Sequence, residues 1–148
     1  MGSEQEFKEV LYEVKDGVAW ITINRPEVRN AFREQTLDEL IAAFSLTKND
    51  PSIAVAVVTG SGDKAFSAGG DFHAMMRLNW TNAAQWNDRM QGLAMTIRGL
   101  PIPVIAMVHG WCMGGGHELA LWCDMVISAE DGMFGQTGAK VGACPPVG

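Results

Sequence analysis

The sequence is poor in cysteine and lacks any long apolar run. Its three cysteines, Cys112, Cys123 and Cys144, are an odd set without CxxC spacing, which is typical of reduced thiols rather than disulfides or a cysteine metal site. No stretch of about 18 consecutive apolar residues occurs, so we expect no membrane-spanning helix. Residues 1–6 are acidic rather than basic and then apolar, which argues against a secretory signal. We therefore expect a cytoplasmic protein that does not contact membranes.

Basic residues are also scarce. Eleven Lys and Arg stand against 17 Asp and Glu, which gives a formal net charge of -6 and disfavours nucleic acid as the main partner. His73, His109 and His117 have no partner at metal-ligand spacing, and Leu121 stands where an HExxH motif needs histidine, so no metal site is expected. Apolar residues make up 47% of the 148 residues. That share predicts one domain over residues 1–148 with its own core.

The chain is expected to open with a β-hairpin. Two β-branched and aromatic runs, residues 9–14 and 17–24, meet at Lys15-Asp16-Gly17, and Asp-Gly between such runs is a strong hairpin signal. The first two strands are therefore predicted to pair antiparallel.

No internal sequence repeat is apparent.

Helices and buried strands are expected to alternate after the hairpin. Thr36 is predicted to cap a helix with apolar residues at helical spacing, and Thr81 to cap a second helix that runs to Arg98. The remaining predictions are buried strands at 53–59, 104–108 and 125–128, a variable loop at 72–80, and a helix from Gly114. This alternation is typical of the α/β class.

Two glycine-rich segments each follow a predicted strand. They are residues 65–71, Ala-Phe-Ser-Ala-Gly-Gly-Asp, and residues 113–118, Met-Gly-Gly-Gly-His-Glu. Glycine lets the backbone approach a ligand closely, and the helix expected after Gly114 points the positive end of its dipole the same way. Two such turns can aim two amide N–H groups at one oxygen, which suits a carbonyl that becomes an enolate. The alternative is two tight turns without a ligand.

The order and spacing of four motifs resemble those of the crotonase (enoyl-CoA hydratase/isomerase) superfamily. The motifs are Ile23-Asn24-Arg25-Pro26 with Asn30-Ala31-Phe32, residues 65–71, Gly114 to Leu119 with Cys123-Asp124, and Phe134-Gly135-Gln136. The resemblance implies an α/β fold, the ClpP-like spiral of ββα units, with acyl-CoA substrates and an oxyanion hole whose amides fall on Gly70 and Gly115. It implies homotrimers or hexamers with longer chains, so we expect the N-terminal core here without the C-terminal helical part.

The resemblance also assigns roles to individual residues. Glu118, three residues after Gly115, is expected to be the catalytic acid or base; the alternative is a carboxylate that only complements the helix dipole. Asp71 is expected to brace its loop by accepting backbone N–H bonds. Arg29 is the candidate residue for binding a phosphate group of coenzyme A. The other residues expected to contact acyl-CoA are Ala68, Gly69, Asp71, Phe72, Met113, Gly114, Thr137 and Gly138.

The residues of the sequence are compatible with several reactions. Addition of water to an enoyl-CoA or a cyclic oxo-acyl-CoA is the leading hypothesis, with coenzyme A only as part of the substrate and no tightly bound cofactor. Gly138 stands where hydratases carry a second glutamate, and Glu118 with a glycine at that second position also resembles the alicyclic ring-opening acyl-CoA hydrolases. A bicarbonate near Gly138 is one candidate replacement for the missing carboxylate. Residues 25–33, 62–66, 134–138 and 140–142 resemble 1,4-dihydroxy-2-naphthoyl-CoA synthase. Ala143 and Pro145 replace the serine and aspartate of that family, which also lacks a glutamate at position 118. A non-catalytic member that binds RNA or protein is the remaining alternative.

Overall fold

The computed structural model describes residues 7–145, and the strands within them form two sheets. The strands are β1 (Val10–Lys15), β2 (Val18–Ile23), β3 (Val55–Gly60), β4 (Ala65–Ser67), β5 (Val104–Val108), β6 (Trp111–Met113), β7 (Met125–Ser128) and β8 (Met133–Gly135). The larger sheet has the order β1-β2-β3-β5-β7 and the smaller one β4-β6-β8. All pairings except β1 with β2 are parallel.

Strand pairs repeat along the chain. In each of the pairs β3/β4, β5/β6 and β7/β8, the first strand joins the larger sheet and the second joins the smaller sheet. The α-helices are α1 (Glu34–Asn49), α2 (Phe72–Met75), α3 (Ala83–Arg98) and α4 (Gly115–Trp122), with 3-10 turns at Pro26–Val28 and Gly138–Val141. The ββα repetition expected from the resemblance is therefore present, although no sequence repeat reveals it.

The predicted hairpin is observed. β1 and β2 pair antiparallel and are joined by Asp16 and Gly17, whose φ angles of 53° and 78° lie in the left-handed region. A two-residue turn with positive φ at both positions follows the twist of the strands, which explains the preference for Asp-Gly.

The predicted helix starts are displaced and one predicted loop is helical. α1 begins at Glu34, two residues before Thr36, and the Thr36 hydroxyl accepts a hydrogen bond from the Arg33 amide at 3.1 Å. Thr36 therefore stabilises the first turn from inside the helix instead of capping it. The N-cap residue of α3 is Asn82 and not the predicted Thr81, because the helix begins at Ala83. The predicted variable loop at 72–80 contains α2, capped by the Asp71 carboxylate.

The prediction of a buried third strand is wrong. The strand forms at 125–128, but all four of its residues are exposed. β7 stands at the end of the strand order, so within residues 7–145 it has one strand neighbour, β5. A continuous apolar run predicts a strand that is covered on both faces, and the described part of the chain does not cover this one.

The core lies between the larger sheet and the helices. α1 packs on β2 and on α3, and α4 packs on the smaller sheet and α3. Large side chains with no exposed surface fill this space; they include Ile21, Ile23, Phe32, Leu37, Leu40, Phe44, Val58, Phe66, Leu93 and Leu119. None of the helices described is both long and apolar enough to cross a bilayer. Both glycine-rich segments end beside this core, at one cleft.

Candidate active site

An open cleft of about 410 Å³ collects most of the predicted site residues. Its walls come from the two glycine-rich segments, from α2 and α3, and from residues 136–144. Of the predicted residues, the cleft is lined by Ala68, Gly70, Phe72, Gly114, Gly115, Glu118, Thr137 and Gly138. Among the described lining residues Glu118 is the only one with a formal charge, and the rest of the wall is apolar or uncharged.

Gly70 presents its amide N–H away from the neighbouring chain segment. It forms an isolated parallel bridge with Phe32, in which the Phe32 amide donates to the Gly69 carbonyl and the Asp71 amide to the Phe32 carbonyl, each at 2.7 Å. In such a bridge the flanking residues make both bonds, so the N–H of the central residue points to the other side. The Gly70 amide donates no hydrogen bond to another described residue.

Gly115 is the first residue of α4. Gly114 precedes it with φ 51° and ψ -121°, a conformation that side-chain-bearing residues avoid, and the Gly114 amide donates to the Gly135 carbonyl at 2.8 Å. The first amides of a helix have no partner within the helix and carry the positive end of its dipole. The Gly115 amide is therefore available at the cleft.

Glu118 lines the same cleft as Gly70 and Gly115 and is buried, with 7% of the residue exposed. Its Oε1 accepts a hydrogen bond from the Gln136 side-chain amide at 2.8 Å, while its Oε2 is buried and has no partner among the described residues. Buried polar atoms are nearly always paired, and an unpaired one needs an explanation such as a catalytic role or a ligand. One oxygen of Glu118 is thus fixed and the other is free.

Asp71 lies behind the Gly70 loop. Its Oδ1 accepts the His73 and Ala74 amides at 3.0 and 3.2 Å, and its Oδ2 accepts the Arg25 guanidinium at 3.0 Å. Burial by itself raises the pKa of Asp71, but the bonds from Ala74 and Arg25 outweigh burial and the pKa lies below its ordinary value. The structure thus bears out the expectation that Asp71 braces its loop through backbone N–H groups.

Glu9 completes this buried charge cluster. Its carboxylate contacts Arg25 at 3.5 Å, pairs with Arg33 and accepts the Thr36 hydroxyl at 2.5 Å. Burial raises the pKa of Glu9, but the hydrogen bonds from Arg33 and Thr36 and the charge of Arg25 bring the pKa below its ordinary value. The two buried carboxylates are therefore compensated by two guanidinium groups, of which Arg25 is buried and Arg33 is exposed.

Four predicted contact residues lie outside the cleft lining. Gly69, Asp71 and Met113 are chain neighbours of residues that line the cleft. Arg29 lies at a separate pocket of about 130 Å³, whose lining also includes Lys64 and Asp63. The Arg29 guanidinium lies 5.9 Å from the centre of the Trp111 ring, as in a cation–π contact.

The sequence left two polar side chains without a role. Gln136, noted only as part of a motif, holds Glu118 from eighteen positions away. Asn30, with no exposed surface, accepts the Arg25 amide and donates to the carbonyls of Ser61 and Ala65. Their place in the Phe-Gly-Gln and Asn-Ala-Phe motifs was the available signal, but their partners are distant along the chain.

The fold and the cleft define a mixed α/β protein in which two glycine-rich segments and one carboxylate line the same cleft. A model of the enoyl-CoA hydratase/isomerase family matches residues 13–148. The chain belongs to this family, also called the crotonase superfamily, and its α/β fold matches that of solved members.

Solved structures with this fold come from several bacteria. An enoyl-CoA hydratase/isomerase from Xanthobacter autotrophicus Py2 is 37% identical, with a TM-score of 0.91, and the match covers 96% of this chain and 54% of that one. An enoyl-CoA hydratase/carnithine racemase from Magnetospirillum magneticum is 34% identical, with a TM-score of 0.89 and coverages of 94% and 53%. An enoyl-CoA hydratase from Bacillus anthracis is 28% identical, with a TM-score of 0.90 and coverages of 94% and 54%. The chain thus spans about half the length of these relatives.

Proposed function

We propose that the whole protein is an acyl-CoA hydratase, and that the cleft stabilises a thioester enolate while Glu118 moves the proton. Family membership supports an acyl-CoA substrate. The observation that carries the proposal is the free Oε2 of Glu118, buried in the lining of a cleft that also contains the Gly70 and Gly115 amides.

The two glycine amides are proposed as the donors of an oxyanion hole. A thioester carbonyl between them gains negative charge when a nucleophile adds to the conjugated double bond, and preorganised donors bind that charge more tightly than the neutral carbonyl. Removal of one such donor in an enzyme typically costs about 3 kcal/mol of transition-state stabilisation. Both amides lack partners among the described residues, so substrate binding sacrifices no protein hydrogen bond.

Glu118 is proposed to take a proton from water as the water attacks the β-carbon, and to return a proton to the α-carbon. The Gln136 amide on Oε1 fixes the carboxylate plane, which leaves Oε2 for water. A base held within hydrogen-bond reach of its water typically accelerates such a step by about 10²–10⁴-fold.

Gly138 is the point at which this site departs from a two-glutamate hydratase. A Cβ at Gly138 would lie 3.0 Å from the Ala143 carbonyl oxygen, which is tighter than an ordinary contact. A side chain there requires the segment to shift. We therefore propose that Glu118 alone serves both proton transfers, an arrangement that resembles the alicyclic hydrolases that add water to a cyclic oxo-acyl-CoA.

Ring closure of the 1,4-dihydroxy-2-naphthoyl-CoA synthase type is the second candidate, favoured by the same glycine. A bicarbonate near Gly138 finds little support in the described residues, because no basic side chain lines the cleft and the Gly138 amide faces the Gln136 Oε1 at 3.4 Å. The pocket of Arg29 and Lys64 is proposed for the CoA phosphates, and a homotrimer or hexamer in the cytoplasm as the state of the whole protein.

The test is a substrate panel with the full-length protein and its Glu118→Gln variant. We expect hydration of an enoyl-CoA or a cyclic oxo-acyl-CoA, with turnover reduced by about two or more orders of magnitude in the variant. Glu130→Gln, which changes an exposed carboxylate, is the matched control. Activity with o-succinylbenzoyl-CoA instead would favour ring closure, and an inactive protein that binds RNA or another protein would overturn the enzymatic proposal.

A further inference from the structure

Arg25 connects the two chain segments that pair around the proposed Gly70 donor, one at Ala31 and the other at Asp71. Its guanidinium donates to the Ala31 carbonyl at 2.5 Å and to the Asp71 carboxylate at 3.0 Å. Phe32, the next residue after Ala31, pairs with residues on both sides of Gly70. Gly70 is thus enclosed by two backbone hydrogen bonds and one side-chain bridge.

The same contact has an electrostatic consequence. The Asp71 carboxylate directly follows Gly70 in the chain, and an uncompensated negative charge there would oppose a developing oxyanion. Arg25 and Asp71 are each only 9% exposed, so water screens this charge weakly. Glu9 occupies the other side of Arg25 and is itself paired with Arg33, which leaves the Arg25 charge available to Asp71.

We infer that Arg25 is a positioning residue for catalysis: it fixes the Gly70 amide through Ala31 and Asp71, and it neutralises the Asp71 charge behind the oxyanion. The inference rests on the proposed function, because it requires a substrate oxygen at Gly70. A planar fork can bind a carbonyl and a carboxylate at once, whereas a lysine ammonium offers a point charge on a flexible stem.

The test measures carbonyl polarisation directly in the full-length protein. Butyryl-CoA labelled with ¹³C at the thioester carbonyl has no double bond to hydrate, and hydrogen bonds to that carbonyl lower its infrared stretching frequency. We expect the frequency to fall on binding to the wild type. In Arg25→Met the fall should shrink to about half or less, with kcat for the enoyl-CoA reduced at least about tenfold and KM changed less than about threefold.

Two further variants separate positioning from folding. Arg25→Met/Asp71→Asn removes both charges and should recover part of the lost kcat relative to Arg25→Met, because no buried carboxylate then faces the oxyanion. Arg25→Lys retains the charge and should fall between the wild type and Arg25→Met. If Arg25→Met does not fold, the double variant and Arg25→Lys are each compared with the wild type, and a full fall in frequency with kcat within about threefold in both would overturn the Arg25 role. The matched control is Arg89→Met, which breaks a more exposed Arg–Asp pair with Asp38 and should leave the frequency and kcat unchanged.

The outcomes distinguish the two proposals. A wild-type protein that binds the labelled butyryl-CoA without any fall in frequency would overturn the oxyanion hole, and the Arg25 role with it. A normal fall in the wild type that persists undiminished in folded Arg25→Met and Arg25→Lys, with kcat within about threefold, would overturn the Arg25 role alone. An equal loss of kcat in Arg25→Met and in the double variant would reject the electrostatic part.

Discussion

Gly69 and Gly115 bring the two glycine-rich segments into direct contact. The position that a Cβ of Gly69 would occupy lies 2.8 Å from the Gly115 amide nitrogen and 2.7 Å from the Met113 carbonyl oxygen. Gly69 also has φ of +88°, a conformation that L side chains rarely adopt. No side chain fits between the segments, and this close approach sets the separation of the two proposed donor amides.

Gly69→Ala is therefore expected to separate the segments. The methyl group meets backbone atoms that cannot rotate away, so we expect kcat for the preferred acyl-CoA to fall by about 100-fold and the free energy of unfolding by about 1–3 kcal/mol. Gly92→Ala is the control, because Gly92 lies within α3 and a Cβ there would make an ordinary 3.6 Å contact with the Ile41 side chain of α1. We expect Gly92→Ala to retain activity and to gain up to about 1 kcal/mol of stability. Equal activity of both variants would contradict the proposed spacing.

Gln136→Leu is expected to release the Glu118 carboxylate while leaving the charge in place. The variant removes the amide that Oε1 accepts, so the buried carboxylate loses its one described partner and its fixed orientation. We expect kcat to fall by about 10–100-fold with a smaller change in KM. Steady-state kinetics with the substrate found in the panel measure both constants.

The control for Gln136→Leu is Gln91→Leu, an exposed glutamine on α3 outside the cleft. This variant makes the same chemical change and should leave kcat unchanged. If Gln136→Leu were as active as Gln91→Leu, the hydrogen bond to Glu118 would have no part in the reaction.

The sequence predicted the strands and helices better than it predicted the burial of those elements and the long-range contacts of their side chains. Asp16-Gly17 specified the hairpin because a local turn geometry requires those residues. The exposure of β7 was not predictable, because local hydrophobicity does not record whether another segment covers a strand. The role of Glu118 was predicted from the family resemblance and, to a lesser degree, from its position after Gly115, whereas Gln136 and Arg25 acquire their roles through contacts 18 and 46 positions away.

Acid is expected to destabilise the protein through Asp71. Burial raises the pKa of this carboxyl, but the hydrogen bonds from Ala74 and Arg25 lower the pKa by more than burial raises it. The folded-state pKa therefore lies below the ordinary value of 3.8. A depressed carboxyl pKa stabilises the fold above the ordinary value, and this stability is lost as the pH falls through the folded-state pKa. We expect the free energy of unfolding in urea to decline below about pH 4 and to decline less steeply in Asp71→Asn.

The control for the acid experiment is Asp131→Asn, which changes an exposed aspartate. Its unfolding free energy should follow the wild-type pH dependence throughout. Parallel curves for the wild type and Asp71→Asn would show that the Asp71 contacts do not stabilise the folded state.

Cys112 and Cys123 are expected to resist thiol reagents until the protein unfolds. Burial raises the pKa of each thiol from 9.0 to about 12, so only about one thiol in 10⁴ is ionised at pH 8, and the thiolate is the reactive form. Alkylation at pH 8 followed by mass spectrometry of the peptides measures each rate. We expect labelling at least about 100-fold slower in the folded protein than in guanidinium chloride. Comparable rates in the two conditions would mean that the fold protects neither Cys112 in the core nor Cys123, which packs against the core.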